Sequence, residues 1–320
     1  MGFLQNLLGY RKICIQCHNY PDADTVASAF GVYRYLRSKG VEASIIYGGA
    51  EAISKSGINK MIHECRIPIK HVDTAPQCEL LLLVDCQFDQ GNVDAFTADK
   101  LAIIDHHIQT VENSDMYLIK SNYQSCSTIV WELLREEGYP LSNDSALTVA
   151  LLYGLYTDTS CFADLFGEAD TTMRFSLYSG QALFESLIRS NMTVDELMVA
   201  SEAMQKHYYD PKRHFAIVRA VGCDQVVLGI IGDFMIQVDS ISLSFAYARA
   251  GAGYQISIRS CGELKANLIS AYVCKNIGNG GGHAKKAGGY IHREKVEQLY
   301  PGKSVFELIN ERLCTYFDML

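Results

Sequence analysis

The fold is decided by the stretch Lys100-Leu101-Ala102-Ile103-Ile104-Asp105-His106-His107, an apolar run that ends abruptly in a carboxylate and two imidazoles. Two earlier runs have the same character, Lys12–Asn19 and Glu79–Asp85. Between them, Ala23–Ser38 carries apolar residues at helical spacing and is followed by Gly40, a common helix stop. Continuous apolar strands that alternate with helices are typical of a parallel sheet covered on both faces. We therefore predict an α/β fold for the first part of the chain.

The pattern of strands and helices changes in the last third of the chain. The first part contains a further strand at 43–47 and helices near 54–65, 127–137, 144–156 and from about 168 to 205. The second part contains β-rich segments at 214–221, 226–231, 242–247 and 254–260, then a helix near 264–276 and a glycine-rich loop. The sequence thus predicts a catalytic domain (1–185), a helical linker (186–205) and a smaller α/β domain (206–320).

The composition is that of a folded globular protein. Of the 320 residues, 48% are hydrophobic, 20% are charged and only 6 are proline. No apolar run approaches the roughly 18 residues that span a bilayer, and the N-terminal stretch lacks the features of a secretory signal. We therefore expect a soluble cytoplasmic protein without membrane contact. The 11 cysteines are expected to be reduced thiols.

Charge is distributed unevenly along the chain. Residues 1–240 carry a formal charge of −12 and residues 241–320 one of +4. A protein that binds duplex DNA needs a basic face, so we do not expect that class of partner. The acidic part suits carboxylates that hold divalent metals, and the mildly basic part suits a site that binds anions. Charge that simply varies along the surface is the competing explanation.

Side chains able to bind metal follow each predicted strand of the first part. Ligands bind beyond the carboxyl ends of parallel strands, and there the sequence places His or Asp three times, with one more Asp after a long apolar helix. Any one of these carboxylates alone is explained as a turn former or helix cap. Packed together, they would repel one another and raise their pKa values unless a cation were shared. The candidate ligands are His18, Asp22, Asp24, Asp85, His106 and Asp158.

The types of ligand indicate which metal is bound and how many ions are present. Four carboxylates and two imidazoles, without a thiolate, favour Mn²⁺ over structural zinc, with Mg²⁺ as the alternative. Six ligands are too many for one open catalytic site but suit two ions that share a carboxylate. Two ions about 3.5–4 Å apart stabilise the attacking and leaving oxygens of a displacement at phosphorus. The sequence therefore predicts phosphoester hydrolysis.

These motifs also resemble a known family. The segments His18–Asp24 with Ser28, Val84-Asp85, Asp105–His107 and Thr157–Thr159 are similar, in order and separation, to the four motifs of the DHH phosphoesterase superfamily. The resemblance implies that one metal is held by His18 and Asp22, and the other by Asp24, His106 and Asp158. It implies that Asp85 bridges both metals, that Asp105 orients the imidazoles, and that His107 contacts the scissile phosphate.

The tail contains a second candidate site. The glycine-rich segment 279–289 lets backbone amides approach an anion, although a flexible turn explains it equally well in isolation. Together with Ser257–Ser260 it resembles the DHH-associated C-terminal domain, which implies an active site in the cleft between the two domains. The residues that the resemblance assigns to substrate binding are Arg259, Ser260, Gly280, Gly281, Gly282 and His283.

Length and motifs most resemble the branch that contains short-chain oligoribonucleases, 3′-phosphoadenosine-5′-phosphate phosphatases and phosphodiesterases of linear and cyclic dinucleotides. That resemblance implies a two-metal phosphodiesterase, acting as a nanoRNase or on dinucleotides, that releases nucleoside monophosphates and forms a homodimer. A small-molecule phosphatase or pyrophosphatase and an inactive nucleotide-binding regulator are the alternatives. Tyr20 is a candidate for contact with a base. Cys17 and Cys86 flank predicted ligands, either as redox-sensitive thiols or as small apolar packing residues.

Overall fold

The computed structural model describes residues 2–50, 52–88, 92–177, 182–189, 192–223 and 225–320. Contacts between residues divide the chain into two units, 1–191 and 192–320. The division lies inside the stretch 186–205 that the sequence predicts as a linker. Each unit is built around one six-stranded sheet.

The sheet of the first unit is entirely parallel, as the sequence predicts. Its strand order is β3-β2-β1-β4-β5-β6. From β1 the chain continues to β2 on one side, and β4 lies on the other, so the strand order reverses between β1 and β4. Such a reversal opens a crevice at the carboxyl ends of the strands. The strands are β1 Lys12–Cys17, β2 Glu42–Tyr47, β3 Ile69–His71, β4 Leu80–Val84, β5 Lys100–Asp105 and β6 Tyr117–Ile119.

The two faces of this sheet are covered differently. Ile13 and Ile15 of β1 belong to a core that includes the helices, whereas Cys14 belongs to a core formed with other strand residues and with loop residues between 72 and 111. In the described part of the chain, helices therefore pack on one face and extended segments on the other. The helices of the first unit are α1 Phe3–Leu7, α2 Ala23–Ser38, α3 Ser56–Cys65, α4 Cys126–Glu136, α5 Ser145–Asp158, α6 Glu168–Leu177 and α7 Ala182–Ile188. Residues 178–181 and 190–191 of the predicted helical stretch 168–205 lie outside the described residues.

The second unit contains a mixed sheet of order β11-β12-β10-β9-β8-β7, in which only β8 and β9 pair in parallel. Its strands are β7 Tyr208–Asp210, β8 Phe215–Ala220, β9 Leu243–Ala250, β10 Gly253–Ser260, β11 Gly278–Gly282 and β12 Lys286–His292. Its helices are α8 Val194–Gln205, α9 Gln225–Met235, α10 Ala266–Cys274, α11 Arg293–Leu299 and α12 Val305–Asp318. The smaller α/β domain predicted for the tail is thus present.

One predicted strand is wrong. The segment 226–231 lies in helix α9, which buries Val227, Leu228, Ile231 and Met235 along one side. An apolar run of this length is equally compatible with a buried strand and a buried helix, because it has no polar residues to reveal a period. Packing against the sheet decides for the helix.

The predicted glycine-rich loop is also wrong, because its residues form the hairpin β11–β12. Gly280 pairs with Gly289 and Gly281 with Gly288. A side chain at Gly289 would place its Cβ 2.4 Å from the carbonyl oxygen of Asn279. Glycine is depleted in strands, so the sequence favours a loop, but at Gly289 the two strands approach too closely for any other residue.

None of the helices in the described ranges combines the length and the apolar composition needed to cross a bilayer.

Candidate metal centre

Three predicted ligands lie side by side at the carboxyl edge of the parallel sheet. His18 directly follows the last residue of β1, Asp85 the last residue of β4, and His106 the last residue of β5. These strands are neighbours in the sheet although their sequences are far apart, so the topology alone brings the three side chains to one crevice. Asp22 and Asp24 reach the same place from the start of α2, and Asp158 from the end of α5.

The first ligand group consists of His18, Asp22 and Asp85. Nδ1 of His18 donates to the carbonyl of Asn19 at 2.8 Å, so a neutral ring directs the lone pair of Nε2 towards the carboxylates. Nε2 lies 3.6 Å from Asp22 Oδ2 and 3.8 Å from Asp85 Oδ2. Burial opposes the charged form of the ring, yet the nearby Asp22 raises the pKa of His18 overall. The group therefore attracts positive charge.

The second ligand group consists of Asp24, His106 and Asp158. Nδ1 of His106 donates to the carbonyl of Tyr123 at 3.3 Å. Nε2 lies 3.5 Å from Asp158 Oδ2 and 4.0 Å from Asp24 Oδ2. It also lies 3.2 Å from Oδ1 of Asp85, which connects the two groups.

Asp24 is fixed by the N-terminus of α4. Its two carboxylate oxygens accept hydrogen bonds from the backbone amides of Cys126, at 2.7 Å, and Ser127, at 2.8 Å. Amides in the first turn of a helix have no intrahelical acceptor and favour a negative charge. Burial, reinforced by repulsion from Asp22, nevertheless raises the pKa of Asp24 from 3.8 to about 7. The side chain is thus held where its ionised form is unfavourable unless a cation is nearby.

Asp85 occupies the centre of the site. Its backbone has a φ of +62°, a left-handed conformation that non-glycine residues rarely adopt, and its side chain is buried. Burial and then the charges of Asp24 and Asp22 raise the pKa of Asp85 well above 3.8. Oδ1 accepts no hydrogen bond from the residues that the structure describes. A strained backbone and a buried carboxylate oxygen of this kind are typical of a metal ligand.

A pair of divalent cations fits these residues. Within each ligand group, one atom from each side chain lies within 4.8 Å of the others. Carboxylate oxygens and imidazole nitrogens without thiolate suit Mn²⁺ or Mg²⁺. Asp85 directs one oxygen to each group, Oδ2 towards His18 and Oδ1 towards His106, as a bridging ligand requires.

Asp105 and His107 form a hydrogen-bonded pair beside the two groups. Oδ1 of Asp105 accepts from Nδ1 of His107 at 2.8 Å and from the backbone amide of His106 at 2.8 Å. Burial acts to raise the pKa of Asp105, but the hydrogen bonds from His107 and Gln87 outweigh it and lower the pKa. The carboxylate stays ionised, and the His107 ring, which is only half-buried, keeps a fixed orientation.

One family model matches the part of the chain that contains most of these residues. Residues 12–155 match the DHH family, N-terminal domain. This part of the chain is a DHH-family domain. The match includes β1, α2, β4 and β5 and therefore the ligands before Asp158.

Two curated relatives align with nearly all of this chain. The chain is 23% identical over 335 residues to the cyclic-di-AMP phosphodiesterase GdpP of Geobacillus thermodenitrificans (strain NG80-2). This alignment covers 96% of this chain and 48% of GdpP. The chain is 23% identical over 306 residues to the uncharacterized protein MJ1633 of Methanocaldococcus jannaschii, covering 94% of this chain and 62% of MJ1633. The chain thus spans about half the length of the first relative and less than two thirds of the second.

Solved structures confirm the fold. An exopolyphosphatase-related protein from Bacteroides fragilis superposes with a TM-score of 0.79 at 16% identity, over 99% of this chain and 97% of the other. RecJ of Thermus thermophilus in complex with Mn²⁺ superposes with a TM-score of 0.56 at 16% identity, over 99% of this chain and 54% of RecJ. At this identity the likeness concerns the architecture.

Sequence reasoning misses the residues that support the ligands of the DHH-family domain. The amides of Cys126 and Ser127 hold Asp24, and Gly154 of α5 leaves room for that contact. A Cβ at Gly154 would lie 2.3 Å from Ser127 Oγ and 3.0 Å from Asp24 Oδ1. Gln87 donates to Asp105 at 2.6 Å. No local pattern marks these contacts, because each depends on an element distant in sequence.

The two thiols beside the ligands are buried packing residues. Burial raises the pKa of Cys17 to about 12 and that of Cys86 well above 9.0. A thiol reacts through its thiolate, which these environments disfavour. Both thiols are also fully buried, which supports the packing explanation over the redox explanation.

The predicted substrate-binding residues lie in the second unit, on β10 and on the hairpin β11–β12, with β12 between β10 and β11. Arg259 of β10 pairs with Lys286 of β12, and its Nε donates to Asp233 of α9 at 2.6 Å. Ser260 is buried, with its hydroxyl 2.9 Å from the carbonyl of Leu264, to which it donates. The arginine is thus held by a carboxylate and the serine by the backbone.

The glycines and the histidine of the predicted anion site lie on the hairpin. Gly280 contacts α10, since a Cβ there would approach Ser270 Oγ to 2.4 Å. Gly281 and Gly282 are exposed, and Gly282 has a φ of +130°. His283 is exposed, and its amide donates to the carbonyl of Lys286 at 2.7 Å. β11 is an edge strand of this sheet in the described part of the chain.

Proposed function

We propose that the chain is a two-metal phosphodiesterase that hydrolyses very short oligoribonucleotides or linear and cyclic dinucleotides to nucleoside monophosphates. The observation that carries the proposal is the pair of ligand groups connected by Asp85 at the reversal of strand order. The relative GdpP supports it, because that protein is named a cyclic-di-AMP phosphodiesterase.

The residues of each ligand group have separate roles. His18 and Asp22 would hold one ion, Asp24, His106 and Asp158 the other, and Asp85 both. Two divalent cations supply charge that activates a water molecule and stabilises the phosphorane-like transition state. The protein contributes ligands fixed by strand ends and helix termini, so that little reorganisation is needed during the reaction.

His107 is assigned to the substrate phosphate. Asp105 accepts the Nδ1 proton of this ring, and a second proton on Nε2 would make that opposite nitrogen a donor to a substrate oxygen. The ring is more exposed than the neighbouring carboxylates Asp85 and Asp105, so a phosphate would reach it more readily. His107 would therefore orient the scissile phosphate.

The second unit is proposed to bind the remainder of the substrate. Arg259, Ser260 and His283 would provide one guanidinium, one hydroxyl and one imidazole, and Gly280, Gly281 and Gly282 of the edge strand β11 would let a ligand approach the backbone. Amides of an edge strand without side chains are suited to a phosphate or to a sugar hydroxyl. We further propose Mn²⁺ as the native ion, a cytoplasmic location, a homodimer, and no binding of duplex DNA.

A substrate panel tests the proposed function. Metal-free protein is incubated with Mn²⁺ or Mg²⁺ and one of four substrates, and hydrolysis is measured. The substrates are a diribonucleotide, a linear di-adenylate, cyclic di-AMP and 3′-phosphoadenosine-5′-phosphate. We expect metal-dependent release of nucleoside monophosphate from the dinucleotides. Activity on the bisphosphate alone would instead favour the small-molecule phosphatase, and tight nucleotide binding without turnover would favour the regulator.

The matched variants for this panel are Asp85→Asn and Asp73→Asn. The first removes the charge of the bridging carboxylate and should lower kcat by at least a thousand-fold, on the order expected when a catalytic metal site is disrupted. The second makes the same substitution at an exposed carboxylate and should leave kcat unchanged. Full activity of Asp85→Asn would refute the mechanism.

A further inference from the structure

Gln87 is fully buried and lies two residues after Asp85, between the ends of β4 and β5. Its amide group uses both of its polar atoms. Nε2 donates to Asp105 Oδ2 at 2.6 Å and lies 3.2 Å from the carbonyl of Ile108, a second acceptor. Burying an amide costs free energy unless it is hydrogen-bonded, and this one has partners on both sides.

The acceptor side of the amide determines its orientation. Oε1 of Gln87 accepts from the backbone amide of Thr110 at 2.8 Å, from its hydroxyl at 3.1 Å and from the amide of Val111 at 3.4 Å. Reversing the amide would direct its NH₂ group at these donors and its oxygen at the Asp105 carboxylate. The hydrogen-bond pattern therefore allows one orientation, in which Nε2 faces Asp105.

The two carboxylate oxygens of Asp105 accept hydrogen bonds from different donors. Oδ2 is occupied by Gln87, whereas Oδ1 accepts from the amide of His106, at 2.8 Å, and from Nδ1 of His107, at 2.8 Å. A carboxylate held at one oxygen cannot rotate without losing that bond. The backbone amides of His106 and His107 hold Oδ1, and the Gln87 amide is the side-chain donor on Oδ2 that completes the fixed plane of Asp105 and, through it, the orientation of the His107 ring.

We propose that Gln87 is a positioning residue that sets the orientation of the His107 ring through the Asp105 carboxylate. Its effect on turnover rests on the proposed function, whereas its effect on the ring does not. The competing explanation is that Gln87 only fastens the segment 108–111, whose residues Ile108 and Thr110 are exposed. In the first explanation the important contact is that of Nε2 with Asp105, and in the second it is that of Oε1 with the segment 108–111.

Three variants of the full chain separate the two ends. Gln87→Glu keeps the size of the side chain but replaces the donor that faces Asp105 with a carboxylate oxygen. Gln87→Met keeps the chain length, removes both polar atoms and adds no charge, which provides a second variant if the first does not fold. Thr110→Ala is the matched control, because it removes one donor to Oε1 and leaves the contact between Nε2 and Asp105 in place.

The first readout is the imidazole ¹H–¹⁵N correlation spectrum of the metal-free protein, with His107 assigned by its loss in His107→Asn. We expect the His107 signals to move in Gln87→Glu and Gln87→Met and to keep their positions in Thr110→Ala. Unchanged His107 signals in a folded Gln87 variant, or an equal change in Thr110→Ala, would overturn the inference. This readout needs neither metal nor substrate, so it decides the inference even if the wild type hydrolyses none of the panel.

The second readout is the division of the effect between kcat and KM on the best dinucleotide substrate. Loss of a group that orients such side chains lowers activity by about 10–100-fold. We expect that decrease in kcat for both Gln87 variants, with KM changed less than about three-fold, and a kcat within about two-fold of wild type for Thr110→Ala. A Gln87 variant with normal kcat would overturn the role in turnover.

Discussion

Tyr20 lies between two predicted ligands in a conformation that tyrosine rarely adopts. Its φ is +55° and 57% of its surface is exposed. A non-glycine residue in the left-handed region costs about 1–2 kcal/mol, and such strain is concentrated at functional sites. Asparagine tolerates this conformation better. An exposed aromatic ring at such a position favours contact with a substrate base.

Replacing Tyr20 should therefore separate stability from substrate binding. We expect Tyr20→Asn to raise the free energy of unfolding by about 1 kcal/mol, measured by urea denaturation, because the strain is relieved. KM for a dinucleotide should rise several-fold at constant kcat, because stacking on the ring is lost.

Arg66 offers a matched control for this change. It has a φ of +54° and is exposed at the end of α3. Arg66→Asn should give a similar gain in stability and leave KM unchanged. If Tyr20→Asn also left KM unchanged, the proposed contact with a base would be wrong.

At the scale of elements, α5 packs closely on the start of α4 and on α2. Gly154 permits this approach next to Asp24, and Gly31 of α2 permits a similar approach to Val130, where a Cβ would come within 2.6 Å of Cγ1. Both glycines are inside helices, yet only one contacts a predicted ligand. Substitutions at these two glycines can therefore separate an effect on helix packing from an effect on the metal centre.

We predict that Gly154→Ala weakens metal binding as well as the fold. The added methyl group should destabilise the protein by about 1–3 kcal/mol, as overpacking does, and move Asp24 from the amides of α4. Mn²⁺ affinity, measured by titration calorimetry, should fall by about 10–100-fold. Gly31→Ala should destabilise the fold without that loss, and equal Mn²⁺ affinities for the two variants would contradict the prediction.

The elements also show where prediction from sequence succeeds and where it does not. The bounds of α2 and β5 are predicted correctly, because helical spacing and an apolar run ending in Asp105 are local signals. The segment 226–231 and the glycine hairpin are predicted wrongly, because each adopts the structure that its neighbours impose. The short edge strands β3 and β6 are too short to carry a pattern.

At the scale of the whole molecule, the metal centre should link stability to pH. The pKa of Asp24 is raised from 3.8 to about 7, and that of Asp85 is also raised. The metal-free folded protein therefore binds protons more tightly than the unfolded chain at these groups. Its stability should fall as the pH rises from about 4 through 7, since the buried carboxylates must then ionise.

A bound divalent cation should offset this loss, so the stabilisation by Mn²⁺ should grow between about pH 5 and pH 7. Thermal unfolding at about pH 5, 6 and 7, with and without Mn²⁺, measures the effect. Asp24→Asn removes one of the titrating groups and should flatten the dependence. A shift in Tm that stayed constant or shrank with rising pH would contradict the proposed roles of these carboxylates.

The sequence by itself determines the candidate metal ligands of this protein and the strands that carry them. Asp and His residues at the ends of apolar runs, with the spacing of a DHH-family domain, specify the candidate ligands His18, Asp22, Asp24, Asp85, His106 and Asp158. These features are readable because each is encoded within a few neighbouring residues.

Only the tertiary structure decides how the ligands are held and oriented. The amides of α4 around Asp24, the space left by Gly154 and the Gln87 amide on Asp105 each join residues far apart in the chain. A hydrogen bond or a close contact of this kind depends on the relative placement of whole elements. That placement follows from the packing of the entire unit and leaves no periodic trace in the sequence.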